Sequence, residues 1–171
     1  MYDIGEIYQA ASTQDAIKHL VADPSAVIIA GGSDVLIKIH HGKLSGCSLV
    51  SIYGIDELRG IRLQDDGSIK IGALTSFSHI TKNPIIQKYI PVLGEAVDQI
   101  GGPQIRNIGT IGGNISNGVT SADSASTLFA LGANLEITGP NGKRVIPISK
   151  YYIGVGKVSL ENGELLTRSE E

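Results

Sequence analysis

The sequence predicts an α+β fold in two subdomains, and two observations carry the prediction. Twenty-two glycines alongside six Tyr, two Phe and no Trp describe a chain rich in tight turns, as suits β structure joined by short helices. Strand-length apolar runs alternate with helical stripes up to Tyr53, and an antiparallel hairpin pattern follows. The boundary is expected near Tyr53-Gly54. It leaves an N-terminal β-α-β subdomain over 1–53 and a second, β-rich and incomplete subdomain over 54–171. At 171 residues with 42% hydrophobic content, the chain is about one domain long and can bury a core.

Each element follows from its residues. Ser12-Thr13-Gln14-Asp15 ahead of Ala16, Ile17, Leu20 and Val21 sets a capping hydroxyl before an apolar helical stripe, which Asp23-Pro24 ends. Ala26 to Ala30 is a continuous, β-branched run that reads as a buried strand. Gly31-Gly32-Ser33-Asp34 follows at once. Val35, Leu36 and Ile39 then recur at helical spacing until Gly42, with Ser33 or Asp34 as N-cap, and Ser48 to Ile52 is the next strand.

In the second half, Ile61 to Leu63 and Ser68 to Ile71 alternate about an Asp65-Asp66-Gly67 turn and form a hairpin. Thr75 to His79 begins a helix, Asn83-Pro84 turns into another, and Val92, Leu93, Ala96, Val97 and Ile100 mark a third that Gly101-Gly102-Pro103 stops. Polar Gln104 to Asn107 leads into a long loop, Gly109 to Asp123, hung between two helices, with Asp123 capping Ser124 to Leu131. Ala133 to Ile137 is a strand, Gly139 to Lys143 a hairpin turn, and Val145 to Ile148 an edge strand marked by Pro147. Tyr151 to Lys157 is loop-like. Glu164-Leu165-Leu166 starts a last strand, after which Thr167 to Glu171 turns polar.

Charge and composition exclude several classes. A net charge of −3 supplies no basic stripe for nucleic acid. No apolar run is long enough to cross a membrane, and Asp3, Glu6, Asp15 and Lys18 interrupt the first twenty residues, so the chain reads as cytoplasmic. The single cysteine, Cys47, rules out an internal disulfide or a cysteine-based cluster. His40 and His41 are adjacent, point apart on a helix and lack a carboxylate at metal-site spacing.

Two glycine loops carry the chemistry. In Gly109-Thr110-Ile111-Gly112-Gly113-Asn114, paired glycines permit positive φ and close approach of backbone N–H groups to an oxygen-rich ligand. Ser116, Asn117, Thr120 and Ser121 add uncharged hydrogen-bonding groups. Gly31-Gly32-Ser33 sits between a strand and a helix start, where backbone donors converge on phosphates. A long polar turn and a capped strand-to-helix turn explain the same residues taken singly. The spacing is neither Rossmann nor Walker, and no nucleophile, base and orienter set exists, so a dinucleotide fits better than a hydrolytic substrate.

Ala30-Gly31-Gly32-Ser33-Asp34-Val35-Leu36, then Gln104 to Asn107 with Gly109 to Asn114, then Ser121-Ala122-Asp123, together resemble the FAD-binding subunits of molybdenum hydroxylases of the xanthine dehydrogenase type. The resemblance implies the two-subdomain, PCMH-type FAD fold of the vanillyl-alcohol oxidase class, with FAD between the subdomains and without the C-terminal α+β domain of the family. It implies a first pyrophosphate loop of Val27, Ile28, Ile29, Ala30, Gly31, Gly32, Ser33 and Asp34. The second loop would comprise Gly109, Thr110, Ile111, Gly112, Gly113 and Asn114. Asp123 would accept hydrogen bonds from cofactor hydroxyls, and Leu165 would lie near the flavin ring. Ile100 stands where some relatives place an aromatic residue.

The resemblance further implies an oxidoreductase complex of purine or related heterocycle metabolism. Molybdenum cofactor and iron–sulfur clusters would sit on partner subunits, with NAD as electron acceptor and no catalytic residue in this chain. A truncated, catalytically incompetent binding or assembly module of the same fold stays open as the alternative.

Overall fold

The computed structural model describes residues 2–119 and 122–170. Strands and helices alternate through the N-terminal part: β1 (Ile4–Gln9), α1 (Thr13–Ala22), β2 (Val27–Ile29), α2 (Val35–His40) and β3 (Cys47–Ser51). The three strands pair in parallel in the order β1-β3-β2. Ser12 caps α1 by accepting the Asp15 N–H at 3.1 Å, and the stripe Ala16, Ile17 and Leu20 packs with Val50 and Ile52 into one apolar cluster.

One element the sequence reading passed over appears here, β1, and two expectations change. β1 carries little apolar signal because it is an edge strand, with Gly5 and Glu6 inside it and Ile7 60% exposed. β2 is half-buried where a buried strand is expected, because it forms the opposite edge and turns residues toward a cavity. Asp34 holds the N-cap position of α2, yet its backbone is already α-helical (φ −98°, ψ −43°) and its side chain makes no capping bond.

The hairpin follows as β4 (Ile61–Leu63) and β5 (Ile69–Gly72). Six short helices come next: α3 (Phe77–Lys82), α4 (Pro84–Tyr89), α5 (Pro91–Asp98), α6 (Pro103–Ile108), α7 (Ile111–Ser116) and α8 (Asp123–Ala130). Ser76 and Asn83 cap α3 and α4 through their side chains, and Pro84, Pro91 and Pro103 sit at helix starts, where the missing N–H costs nothing. β6 (Asn134–Gly139) and β7 (Gly142–Pro147) form the expected hairpin, and a small ribbon of β8 (Tyr152–Gly154) and β9 (Lys157–Val158) precedes β10 (Leu165–Glu170). The second sheet is antiparallel with strand order β4-β5-β10-β6-β7, so β7 is an edge. Ile71, Leu135, Ile137 and Leu166 from its strands pack with Ile80, Leu93, Val97, Ile115 and Leu128 from the helices in a second apolar cluster.

Within the stretch expected as a loop, Gly109 to Asp123, the residues Ile111–Ser116 form the helix α7, and Gln104 to Asn107 belongs to α6. Thr110 caps α7 through its hydroxyl, which accepts the Gly113 N–H at 3.2 Å. Neither Gly112 nor Gly113 has a positive φ; among the loop glycines Gly32 (+78°) and Gly118 (+74°) do. Two glycines in a helix cost about 1 kcal/mol each relative to alanine, which is why local propensity reads the segment as coil. Asp123 is the first residue of α8, not its cap; Ala122 holds that position. Thr120 and Ser121 lie outside the described residues.

The polar tail is the larger correction. Thr167, Arg168 and Ser169 continue β10 as the central strand, with Thr167 4% and Ser169 2% exposed. The Thr167 hydroxyl enters the core paired, its Oγ1 3.1 Å from Thr138 Oγ1 and donating to the Glu136 carbonyl at 3.0 Å, whereas the buried Ser169 hydroxyl has no partner among the described residues. Thr167→Val strands the buried Thr138 hydroxyl and is expected to cost about 1–3 kcal/mol in urea unfolding. The double variant Thr138→Val/Thr167→Val is expected to lose less than the sum of the two single changes.

Candidate functional site

A cavity of about 1020 Å³ opens between the two sheets. Its first wall is the turn that leaves β2, with Gly32 buried at its centre. The N–H groups of Gly31, Gly32, Ser33 and Asp34 have no acceptor among the described residues. A run of unpaired, partly buried backbone donors carries a desolvation cost unless something accepts from them.

The second wall is the start of α7, and its donors are mostly spent. Gly109 to Gly112 runs antiparallel to the link after β5: Phe77 N–H donates to Gly109 O (3.2 Å), Ile111 N–H to Thr75 O (3.1 Å) and Gly112 N–H to Ala73 O (2.9 Å). Gly113 N–H goes to the Thr110 hydroxyl. Left without a partner among the described residues are the Thr110 N–H and the Asn114 side-chain amide, whose oxygen accepts from Ser124 Oγ at 2.6 Å. Ser116 anchors the far end of α7 on the buried Tyr151 hydroxyl at 2.8 Å, and burial pushes that hydroxyl's pKa up.

The glycines serve chiefly to let backbones touch. A Cβ on Gly31 would lie 1.7 Å from the Ile108 carbonyl oxygen, so the two glycine loops meet at that point. A Cβ on Gly109 would strike Phe77, and one on Gly112 would lie 2.6 Å from Ala73 Cβ. Gly113 is different: its Cβ would meet only the Thr110 hydroxyl, at 2.9 Å.

Leu160 to Leu166 forms the third wall. Arg144 grips Glu164 with two bonds, Nε to Oε1 at 2.8 Å and Nη2 to Oε2 at 2.7 Å. That guanidinium, helped by the Glu161 N–H, holds the Glu164 carboxyl below its usual pKa. Lys38 is the one cation among the described lining residues, and no His or Cys joins it. Hydroxyls and carboxylates line the cavity with no nucleophile and base in contact, so the site can bind and orient a ligand rather than do acid–base work on it.

The structure brings most of the expected residues together. Val27, Ile28, Ala30, Gly31, Gly32, Ser33, Asp34, Gly109, Thr110, Gly112, Gly113, Asn114 and Leu165 line the cavity; Ile29, Ile111 and the exposed Asp123 do not. Residues the sequence reading passed over are Lys38, the Ala73-Leu74 rim and the Leu160–Asn162 strap. Lys38 was findable, since it stands four residues after Asp34 and therefore on the same helix face.

The sequence matches, over residues 2–169, the family described as FAD binding domain in molybdopterin dehydrogenase. The chain belongs to that family. Its FAD-binding domain is 46% identical over 166 residues to the xanthine dehydrogenase FAD-binding subunit of Escherichia coli O157:H7, covering 97% of this chain and 57% of that one. It is 34% identical over 152 residues to the nicotinate dehydrogenase FAD-subunit of Eubacterium barkeri, covering 87% and 51%. Among solved structures, a carbon monoxide dehydrogenase from Hydrogenophaga pseudoflava superposes with a TM-score of 0.95 at 32% identity, covering 99% of this chain and 59% of its own. The chain thus spans a little over half the length of these relatives, and the expected FAD-binding fold is the observed one. No helix among the described residues is long and apolar enough to cross a membrane.

Two outcomes are expected. Gly31→Ala forces apart two backbones and should destabilise the domain by about 3 kcal/mol. Gly42→Ala, at φ +74° with open space around it, should cost only about 1 kcal/mol, and thermal melts of the two variants compare them. The lowered Glu164 pKa adds stability that is present above the ordinary carboxylate value and is lost as pH falls through the folded one. Arg144→Leu should therefore flatten the loss of stability expected of the parent chain as pH falls below the ordinary carboxylate range, checked by urea unfolding across that range.

Proposed function

We propose that the chain is the FAD-holding part of a xanthine dehydrogenase-like molybdenum hydroxylase. One observation carries the reading: the backbone N–H groups of four consecutive residues lining a cavity large enough for a dinucleotide, Gly31 to Asp34, find no acceptor among the described residues. A diphosphate supplies acceptors for such a nest without needing a basic loop. Thr110, with its unpartnered N–H, and Asn114 line the same cavity, and Ile100, Leu165 and Leu166 give it an apolar part suited to a flavin ring.

In this reading the two sheets are two FAD-binding subdomains, 1–53 and 54–171. The lining residues of the first loop, Val27 to Asp34, and of the second, Gly109 to Asn114, hold the pyrophosphate, with Ile29 and Ile111 packed behind them. A cofactor that extends beyond the cavity to the head of α8 gives Asp123 its hydroxyl partners. FAD supplies the redox chemistry, taking electrons from iron–sulfur clusters of one partner subunit, reduced in turn by a molybdenum-binding subunit, and delivering them to NAD. The residues of this chain bind the cofactor, orient it and exclude water. The complex works in the cytoplasm, in purine or related heterocycle metabolism, away from nucleic acid and membrane.

The test is a titration of the folded chain with FAD, followed by flavin absorbance and calorimetry. Saturable uptake is expected. Gly113→Val should lower FAD affinity at least about tenfold by filling the space beside Thr110, while valine's better helix propensity than glycine's offsets the disturbed cap and keeps the fold. Unchanged affinity in that variant overturns the second loop as a cofactor contact. A folded parent chain that takes up no FAD favours the assembly-module reading instead.

A further inference from the structure

We infer that Lys38 is the cation that recognises the diphosphate of the flavin dinucleotide, exchanging its bond to Asn117 for phosphate oxygens. This rests on the FAD reading above and adds a residue to it. Lys38 lies in α2, half-buried in the cavity wall, and its ammonium reaches across to the end of α7, where Nζ donates to Asn117 Oδ1 at 2.5 Å. The partner is a neutral amide. Lys70, Lys143, Arg59, Arg106 and Arg144 each sit within 4 Å of a carboxylate, whereas nine of the 14 Lys and Arg residues, Lys38 among them, have none among the described residues. What sets Lys38 apart is that it alone of these cations lines the cavity.

Lys38 has no such counter-charge among the described residues. Asp34, one turn back on the same face, forms no ion pair with it, and Glu164 is committed to Arg144. A half-buried ammonium satisfied only by an amide keeps most of its capacity to attract an anion. Placement completes the argument. Four residues of helix put the Lys38 backbone about 6 Å along the axis from Asp34, and the four-carbon stem can span that distance back to the turn whose N–H groups are unpartnered. Fixed backbone donors then set where the diphosphate sits, and Lys38 adds the charge that those donors lack.

The inference makes a distinction between ligands. A flavin without phosphate gains nothing from Lys38, whereas FAD does. Calorimetric titrations of the 171-residue chain and of Lys38→Met, Lys38→Arg and Asn117→Leu, each with FAD and with riboflavin at two salt concentrations, test it. Lys38→Met should weaken FAD about tenfold to a hundredfold, the range for a hydrogen bond to a charged group. The same variant should lessen the salt dependence of FAD binding and leave riboflavin unchanged. Lys38→Arg and Asn117→Leu should retain FAD affinity within about threefold, because both keep the cation. Equal FAD affinity and equal salt dependence in the parent chain and Lys38→Met overturn the role of Lys38 while leaving the FAD reading intact. Parallel loss of FAD and riboflavin in both Lys38→Met and Asn117→Leu makes the pair a structural clasp and overturns it as well. Failure of the folded parent chain to bind FAD removes the FAD reading itself, and this inference with it.

Discussion

The approach of Gly31 to the Ile108 carbonyl is the constraint on which the site depends. The turn after β2 and the end of α6 come so close that a single methyl carbon cannot stand between them. The contact fixes where the turn after β2 lies relative to the start of α7, and hence the width of the cavity between them. Neither glycine loop is flexible in the sense that its composition suggests. Gly31, Gly109 and Gly112 lack side chains because neighbouring backbone or core atoms occupy the space, while Gly32 and Gly118 need their residue type for a positive φ.

The two loops divide the polar work unequally. The segment that begins α7 is tied to the β5–α3 link by three backbone hydrogen bonds and capped by Thr110, so its rigidity is secured before any ligand arrives. The turn after β2 keeps its donors unpaired and its N-cap side chain unused. A pre-set wall faces an unsatisfied one. That pairing lowers the ordering cost of binding, because most of the groups that hold a ligand are already immobilised.

Much of this was legible in the sequence where local chemistry decides the outcome. Ser12, Ser76 and Asn83 announce their helices by hydroxyl or amide caps, and Asp65-Asp66-Gly67 and Pro140-Asn141 announce their hairpins. The site loops were legible as a pattern of glycines, but not for the reason they are glycines; close packing against Ile108, Phe77 and Ala73 involves partners distant in sequence. α7 was misread because Gly112 and Gly113 oppose helix formation locally and tertiary packing overrides them. β10 was misread because threonine and serine look like surface residues until a facing hydroxyl, here Thr138, gives one of them a buried partner. The spacing of Lys38 from Asp34 was legible, but its place as the one cation among the described lining residues of the cavity follows only from the fold.

The position of β10 also governs the order in which the domain can assemble. β5 and β6 are separated by six helices and do not pair with each other; each waits for β10, which arrives after both. The parallel sheet, built from Ile4 to Ser51, can close early in synthesis, whereas the larger one stays in two halves with bare inner edges until Leu165 to Glu170 emerges. Such long-range closure is slow, and the waiting edges are open to mispairing with other chains. Because Leu165 and Leu166 belong to the cavity wall, the ligand chamber is completed last, and no cofactor can serve as a template for the strands that precede it.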